Sequence, residues 1–192
     1  MKQRSQQMPA SVKGGVELRK ALREFTPDLA KGLTKELAQA MRPVVKVARG
    51  YMPNDNQVLS NWGVTGKQIN ARSSAFNTSK FPKYVPSVVK SNIGFKSTPS
   101  RPNSRGFRSL AQLFNKSRAG AIYEVAGTKN PESTFVKNLN GKYPSQIKGQ
   151  GNREGRGLYR AYEEDHGKAL LAVVKAIENA KTKLNQRSTV RG

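Results

Sequence analysis

Gly120-Ala121-Ile122-Tyr123-Glu124-Val125-Ala126-Gly127-Thr128-Lys129-Asn130-Pro131 joins two contrasting parts of a 192-residue chain. From Asn56 up to Tyr123 there is no Asp or Glu; beyond it come a glycine-rich region and an amphipathic pattern. Ile122, Tyr123 and Val125 are strand formers, and the bracketing glycines mark points where a backbone turns or passes close to a neighbour. The expectation is a strand over Ala119 to Ala126, the last of a small sheet, running into a loop through Gly127 and Asn130-Pro131. Nothing in the run is catalytic.

Working outward, Val16 to Phe25 patterns as a short amphipathic helix with Val16, Leu18, Ala21, Leu22 and Phe25 apolar. Thr26-Pro27-Asp28 then supplies a cap, a first-turn proline and an acid that complements the helix dipole. Leu29, Leu33, Leu37, Met41, Val44, Ala48 and Tyr51 recur at spacings of four and three, one apolar stripe of a long helix. Pro43 removes a backbone donor, at a cost of ~3 kcal/mol in an interior turn. The stripe keeps phase on both sides of it, so the helix is expected to continue through a kink and to end at Gly50 and Pro53. Downstream, Leu158 to Leu184 is expected to be a second long helix, striped by Tyr159, Tyr162, Leu170, Val173, Val174, Ile177 and Leu184.

Strands are expected over Val58 to Gly63 and in Tyr84 to Phe95, where Pro86 demotes the first half to an edge or bulge. Phe107 to Phe114 fits either period and is taken as strand. Residues 1–15 read as a flexible basic arm, 16–185 as one domain with long loops at 64–81, 97–106 and 129–157, and 186–192 as a basic tail. The sum is an α+β fold: a small antiparallel sheet packed with a long N-terminal helix and a long C-terminal helix, with extended basic loops and arms.

Composition narrows the function. Lys and Arg number 35 against 12 Asp and Glu, a formal charge of +23, which calls for a polyanionic partner. The acid-free segment carries the candidate contacts to DNA or to an acidic protein: Lys67, Arg72, Lys80, Lys83, Lys90, Lys96, Arg101, Arg105, Arg108, Lys116 and Arg118. Trp62, Tyr84, Phe107, Phe135 and Leu139 are candidate interface anchors. Without cysteine there is no disulfide or thiolate chemistry, and one histidine cannot build a His-rich metal site. No apolar run approaches the ~20 residues that span a bilayer, so no membrane role is expected. The polar N-terminus lacks the apolar segment of a signal peptide, and the protein is expected to be soluble.

Catalytic patterns are weak. Glu163 and His166 share a helix face within the one acidic cluster, Glu163-Glu164-Asp165-His166, but the other acids are scattered. Gly149-Gln150-Gly151-Asn152-Arg153-Glu154-Gly155 departs from phosphate-cradling spacing and reads as a flexible linker. No nucleophile elbow is present. No enzyme and no cofactor is expected. Basic loops interspersed with Trp62, Phe76, Phe81, Tyr84 and Phe107 would meet a nucleic acid through its phosphates, without sequence preference.

Glu17-Leu18 through Leu22, Leu29-Ala30-Lys31 through Ala40, and Arg42-Pro43-Val44-Val45 resemble the opening helices of a family of phage proteins. The family is that of neck, or head–tail connector, proteins of long-tailed bacteriophages, often filed as tail components. Tyr51-Met52-Pro53 and Leu59-Ser60-Asn61-Trp62 stand where that family has its post-helix proline and small strand. Tyr123-Glu124-Val125-Ala126-Gly127-Thr128 is similar to its closing strand, and Leu158-Tyr159-Arg160-Ala161-Tyr162 to the aromatic lead-in of its actinobacteriophage members. Asn54-Asp55-Asn56 departs from the family's basic residue and Thr-Gly pair. The resemblance implies a non-catalytic virion subunit, assembled in the host cytoplasm into a ring of identical copies around the DNA path. Its partners would be portal-side adaptor or stopper proteins, the tail terminator or tail tube, and genomic DNA through phosphates. A tail terminator or completion protein, or a non-specific nucleic-acid-binding protein, are the alternatives.

Overall fold

The computed structural model describes residues 14–59, 82–98, 100–104, 106, 108–109, 111–151 and 153–189. In chain order its elements are helices α1 (Gly15–Phe25), α2 (Pro27–Gly50) and α3 (Pro86–Ser91), then strands β1 (Ile93–Lys96) and β2 (Gln112–Asn115). Helices α4 (Arg118–Val125) and α5 (Thr134–Lys142) follow, then strands β3 (Lys148–Gln150) and β4 (Arg153–Gly155) and helices α6 (Leu158–Glu164) and α7 (Lys168–Thr189). The class is α+β with long helices toward both ends, as expected. The β content differs from one small sheet: it is two separate two-stranded antiparallel ladders, β1–β2 and β3–β4.

Contacts group the chain into two compact units. The first holds α1, α2 up to Ala40, residues between Ser97 and Ala111, and α7. Leu22, Ala30, Leu33 and Leu37 are buried there, with Ala169, Val173, Ala176, Ile177 and Ala180 from α7. Polar ties reinforce it: Glu36 takes Lys183 at 3.7 Å and Asn179 at 3.4 Å, and Asp28 pairs with Arg187 at 2.7 Å. Residues 186–189 of the expected tail are therefore the last turn of α7. Thr26 does not cap α2 through its side chain, since its buried hydroxyl has no partner among the described residues; its carbonyl accepts from Ala30 N–H at 3.1 Å.

The second unit holds the rest of α2, α3 to α6 and both ladders. Helix α2 runs through Pro43 without interruption and buries Met41, Val44, Val45 and Ala48. Tyr84 and Tyr123 meet edge to face, centroids 6.2 Å apart, within a core that includes Met52, Val89, Ile93, Val136, Leu139 and Ala161.

The expected strand at Ala119 to Ala126 is helix α4. Ser117 Oγ accepts from Gly120 N–H at 3.1 Å, satisfying an orphan donor of the first turn. Ala119 with Tyr123, and Gly120 with Glu124, are buried at a spacing of four, the helical period. Val125 is 52% exposed, so its strand preference has no packed face to act on. Pro86 likewise opens helix α3, where its missing N–H costs nothing, and only Ile93 to Lys96 of that segment is strand. Of the described residues from Arg108 to Phe114, Gln112 onward joins β2, whereas Arg108, Ser109 and Ala111 do not. The expected loop 129–157 contains α5, capped by Ser133, and the β3–β4 hairpin occupies the glycine-rich run first taken as a linker.

One long C-terminal helix was expected; two are found, broken where His166 and Gly167 take left-handed backbone (φ 50° and 77°). Val58 and Leu59 lie buried in a turn rather than a strand. The remainder of that strand, residues 1–13 of the arm, 190–192 of the tail and loop 64–81 lie outside the described residues.

Candidate anion-binding surfaces

The first basic surface grows from the β1–β2 ladder. Its register pairs Gly94 with Phe114 and Lys96 with Gln112. The Phe114 ring lies across Gly94, where a Cβ would come 2.9 Å from the ring's Cζ, so a side chain there would push the ring aside. Lys96 and Lys116 then flank the ring, their ammonium groups 5.9 and 4.9 Å from its centroid. Such contacts are worth ~0.5–1 kcal/mol at exposed sites and leave the ammonium free to meet an anion. Arg49, near the end of α2, anchors the ladder by donating to Ile93 O from Nε at 3.1 Å and Nη2 at 2.7 Å. Lys83 and Arg118 are exposed, whereas Lys90 is half-buried and donates to Asn54 Oδ1.

The second lies in the three-helix unit. Val16, Arg19, Lys20, Arg23 and Glu24 share one side of α1 and, with Arg108, line a groove of about 440 Å³. Arg19 is only 4% exposed. It reaches Thr34 Oγ1 at 3.5 Å, and burial, followed by the nearby Arg23 charge, lowers its pKa. Like charges at the i,i+4 spacing of Arg19 and Arg23 repel, which favours an anion between them. That spacing was legible in the sequence, but the apolar stripe of the same helix drew the reading instead.

All twelve acids of the chain are among the described residues. None pairs with Lys83, Lys90, Lys96, Arg101, Arg108, Lys116 or Arg118; the ion pairs of the described residues use bases outside residues 56–123. Lys67, Arg72, Lys80 and Arg105 lie outside the described residues, as do Trp62 and Phe107. Tyr84 and Leu139 are 1% and 2% exposed, which makes them core of their own unit and corrects their assignment as anchors for a neighbour. Phe135 is half-buried on α5.

Buried charge elsewhere serves the frame. The Glu124 carboxylate accepts from Leu158 and Tyr159 N–H, both at 2.9 Å, so a side chain of α4 caps α6. Gly155 and Gly157 make room for it: a Cβ at either would fall within 3 Å of a carboxylate oxygen. Burial raises the Glu124 pKa against these donors. Arg156 is fully buried, gives Nε–H to Ala126 O at 2.7 Å and stands 5.8 Å from the Tyr123 ring. Its two terminal nitrogens have no partner among the described residues.

The acidic cluster behaves as structure too. Glu164 takes Lys148 at 2.7 Å, Arg160 at 3.1 Å and the Tyr51 hydroxyl, while the Arg160 guanidinium stacks 3.9 Å from the Tyr51 centroid. Lys148 and Tyr51 hold its pKa down at about 2. Asp55 is likewise held at about 2, by Tyr143 O–H, Gln57 N–H and Lys142. Among the described residues no His, Asp and Glu group fit for a metal occurs, and no helix is long and apolar enough to cross a membrane. No protein family, curated protein or solved structure matches this chain.

Proposed function

We propose that this chain is a structural subunit of the neck of a long-tailed bacteriophage. In this reading identical copies form a ring around the DNA path, between portal-side adaptor or stopper proteins and the tail terminator or tail tube. The observation that carries it is the set of seven bases, Lys83 to Arg118, that no acid of the chain pairs with. Uncompensated charge of one sign repels itself within a subunit and is relieved when a polyanion or an acidic neighbour docks. The likeness of the opening helices and of Tyr123 to Thr128 to phage neck proteins directs the choice of assembly. The Tyr123 to Thr128 run is helix and turn here rather than the family's closing strand.

Negative-stain microscopy of the purified protein at high concentration is expected to show rings, and the protein is expected in purified virions. A monomer that coats DNA, absent from particles, would overturn this reading. It would favour a non-specific nucleic-acid binder, the alternative that the Lys96–Phe114–Lys116 arrangement supports. On duplex DNA, Lys96→Ala with Lys116→Ala should weaken binding regardless of sequence and flatten the slope of log K against log salt by about 2. An unchanged slope would take the ladder out of the DNA surface.

A further inference from the structure

We propose that the cationic groove of the three-helix unit receives the α6–α7 turn of a neighbouring copy, with Glu163 as the anion and Tyr162 beside it. The proposal rests on the ring reading above. The groove is concave and, at about 440 Å³, matches a few side chains better than the convex surface of a duplex. Arg19 is already withdrawn from water at its wall, and Lys20, Arg23 and Arg108 share the space with one acid, Glu24. A carboxylate there would meet several cations in a reduced dielectric, with arginine forks suited to its two oxygens.

The occupant follows from the scarcity of acids. Two copies of a chain carrying +23 repel over most of their surfaces, so a stable contact has to bring an acidic feature onto a basic one. Glu163-Glu164-Asp165 is the one run of consecutive acids. Glu164 is committed to Lys148 and Arg160, whereas Glu163 is exposed and makes no ion pair among the described residues. Tyr162 next to it is 41% exposed, and Val16 with the guanidinium planes offers an apolar and cationic wall for its ring. Groove and turn are different surfaces, so the contact repeats head to tail, the geometry from which a ring closes.

Charge reversal tests it. Arg23→Glu with Arg108→Glu inverts the groove and Glu163→Lys inverts the occupant, all at exposed positions. In light scattering over a concentration series, either change should raise the half-assembly concentration by at least ~10-fold, because like charges then face each other. One chain carrying all three substitutions should regain the parent's assembly. Circular dichroism and thermal melting check that each variant is folded; if a reversal unfolds the chain, Arg23→Gln and Glu163→Gln should give the same order with smaller shifts. Reversals that assemble like the parent, or a triple variant that is not rescued, overturn the proposal and leave the ring reading standing. A parent chain that is monomeric at every concentration overturns both. A groove reversal that weakens duplex binding without touching assembly assigns the groove to phosphate and also overturns it.

Discussion

The two units treat their acids differently. In the unit of α3 to α6, Glu124, Asp55 and Glu164 each hold two or more donors and fasten distant segments together. In the three-helix unit, Asp28 makes an exposed pair with Arg187, Glu36 meets Lys183 and Asn179 only at 3.7 and 3.4 Å, and Arg19, Lys20 and Arg23 of α1 line a groove. Exposed pairs contribute little, typically under ~1 kcal/mol. A buried carboxylate with several donors, which Glu124 is, contributes far more, because removing it strands groups already taken from water. The contrast implies that a buried acid fastens the second unit, whereas the bases of the acid-free segment, which no acid pairs with, are available for partners.

Glu124→Ala attacks this contrast most directly. It leaves the Leu158 and Tyr159 N–H groups buried without an acceptor and opens space between Gly155 and Gly157, so a loss of about 3 kcal/mol is expected. Chemical denaturation would measure it, with Asp28→Ala as the exposed counterpart, expected to stay close to the parent. Equal losses would erase the difference between the units.

Acid titration gives a smaller effect with a defined sign. Glu164 ordinarily titrates near 4.5 and Asp55 near 3.8, and both are held at about 2 in the folded chain. Folding therefore favours their ionised forms. Their stabilisation is complete above the ordinary values and drains away as pH falls toward about 2. Unfolding followed from pH 6 to 2 should show this loss, and Glu164→Gln should flatten it. A variant that tracks the parent through the window would show that the Lys148 and Arg160 contacts carry no net stability.

The smallest change is expected at Arg156. Its desolvated terminal nitrogens offset what its Nε bond and its cation–π contact with Tyr123 contribute, so Arg156→Met should stay within ~1 kcal/mol of the parent in either direction. A loss as large as that of Glu124→Ala would mean that the guanidinium is held by more than the Ala126 carbonyl.

Much of the helical framework was legible in the chain. The stripe from Leu33 to Ala48 survives Pro43 because burial of one face is repeated on both sides of the proline. Val16 to Phe25 was legible for the same reason. Ala119 to Ala126 misled because strand propensity is a local preference, whereas the Ser117 cap and the burial of Tyr123 and Glu124 act across the fold. Pro86 was ambiguous by nature, since an extended edge and a first helical turn both accommodate a residue without N–H. The spacing of the groove cations on α1 was legible, but what brings Arg108 to them is chain folding, to which local periodicity is blind.

By itself, the sequence determined the α+β class with long helices toward both ends, the surplus of positive charge and its concentration between residues 56 and 123, because these depend on composition and on short-range period. Tertiary structure alone decided that Glu124 is a buried cap, that Glu164 is a clamp and that Glu163 beside it faces solvent. The reason is physical: a carboxylate's role depends on which donors and how much water surround it, and those neighbours come from segments far apart along the chain.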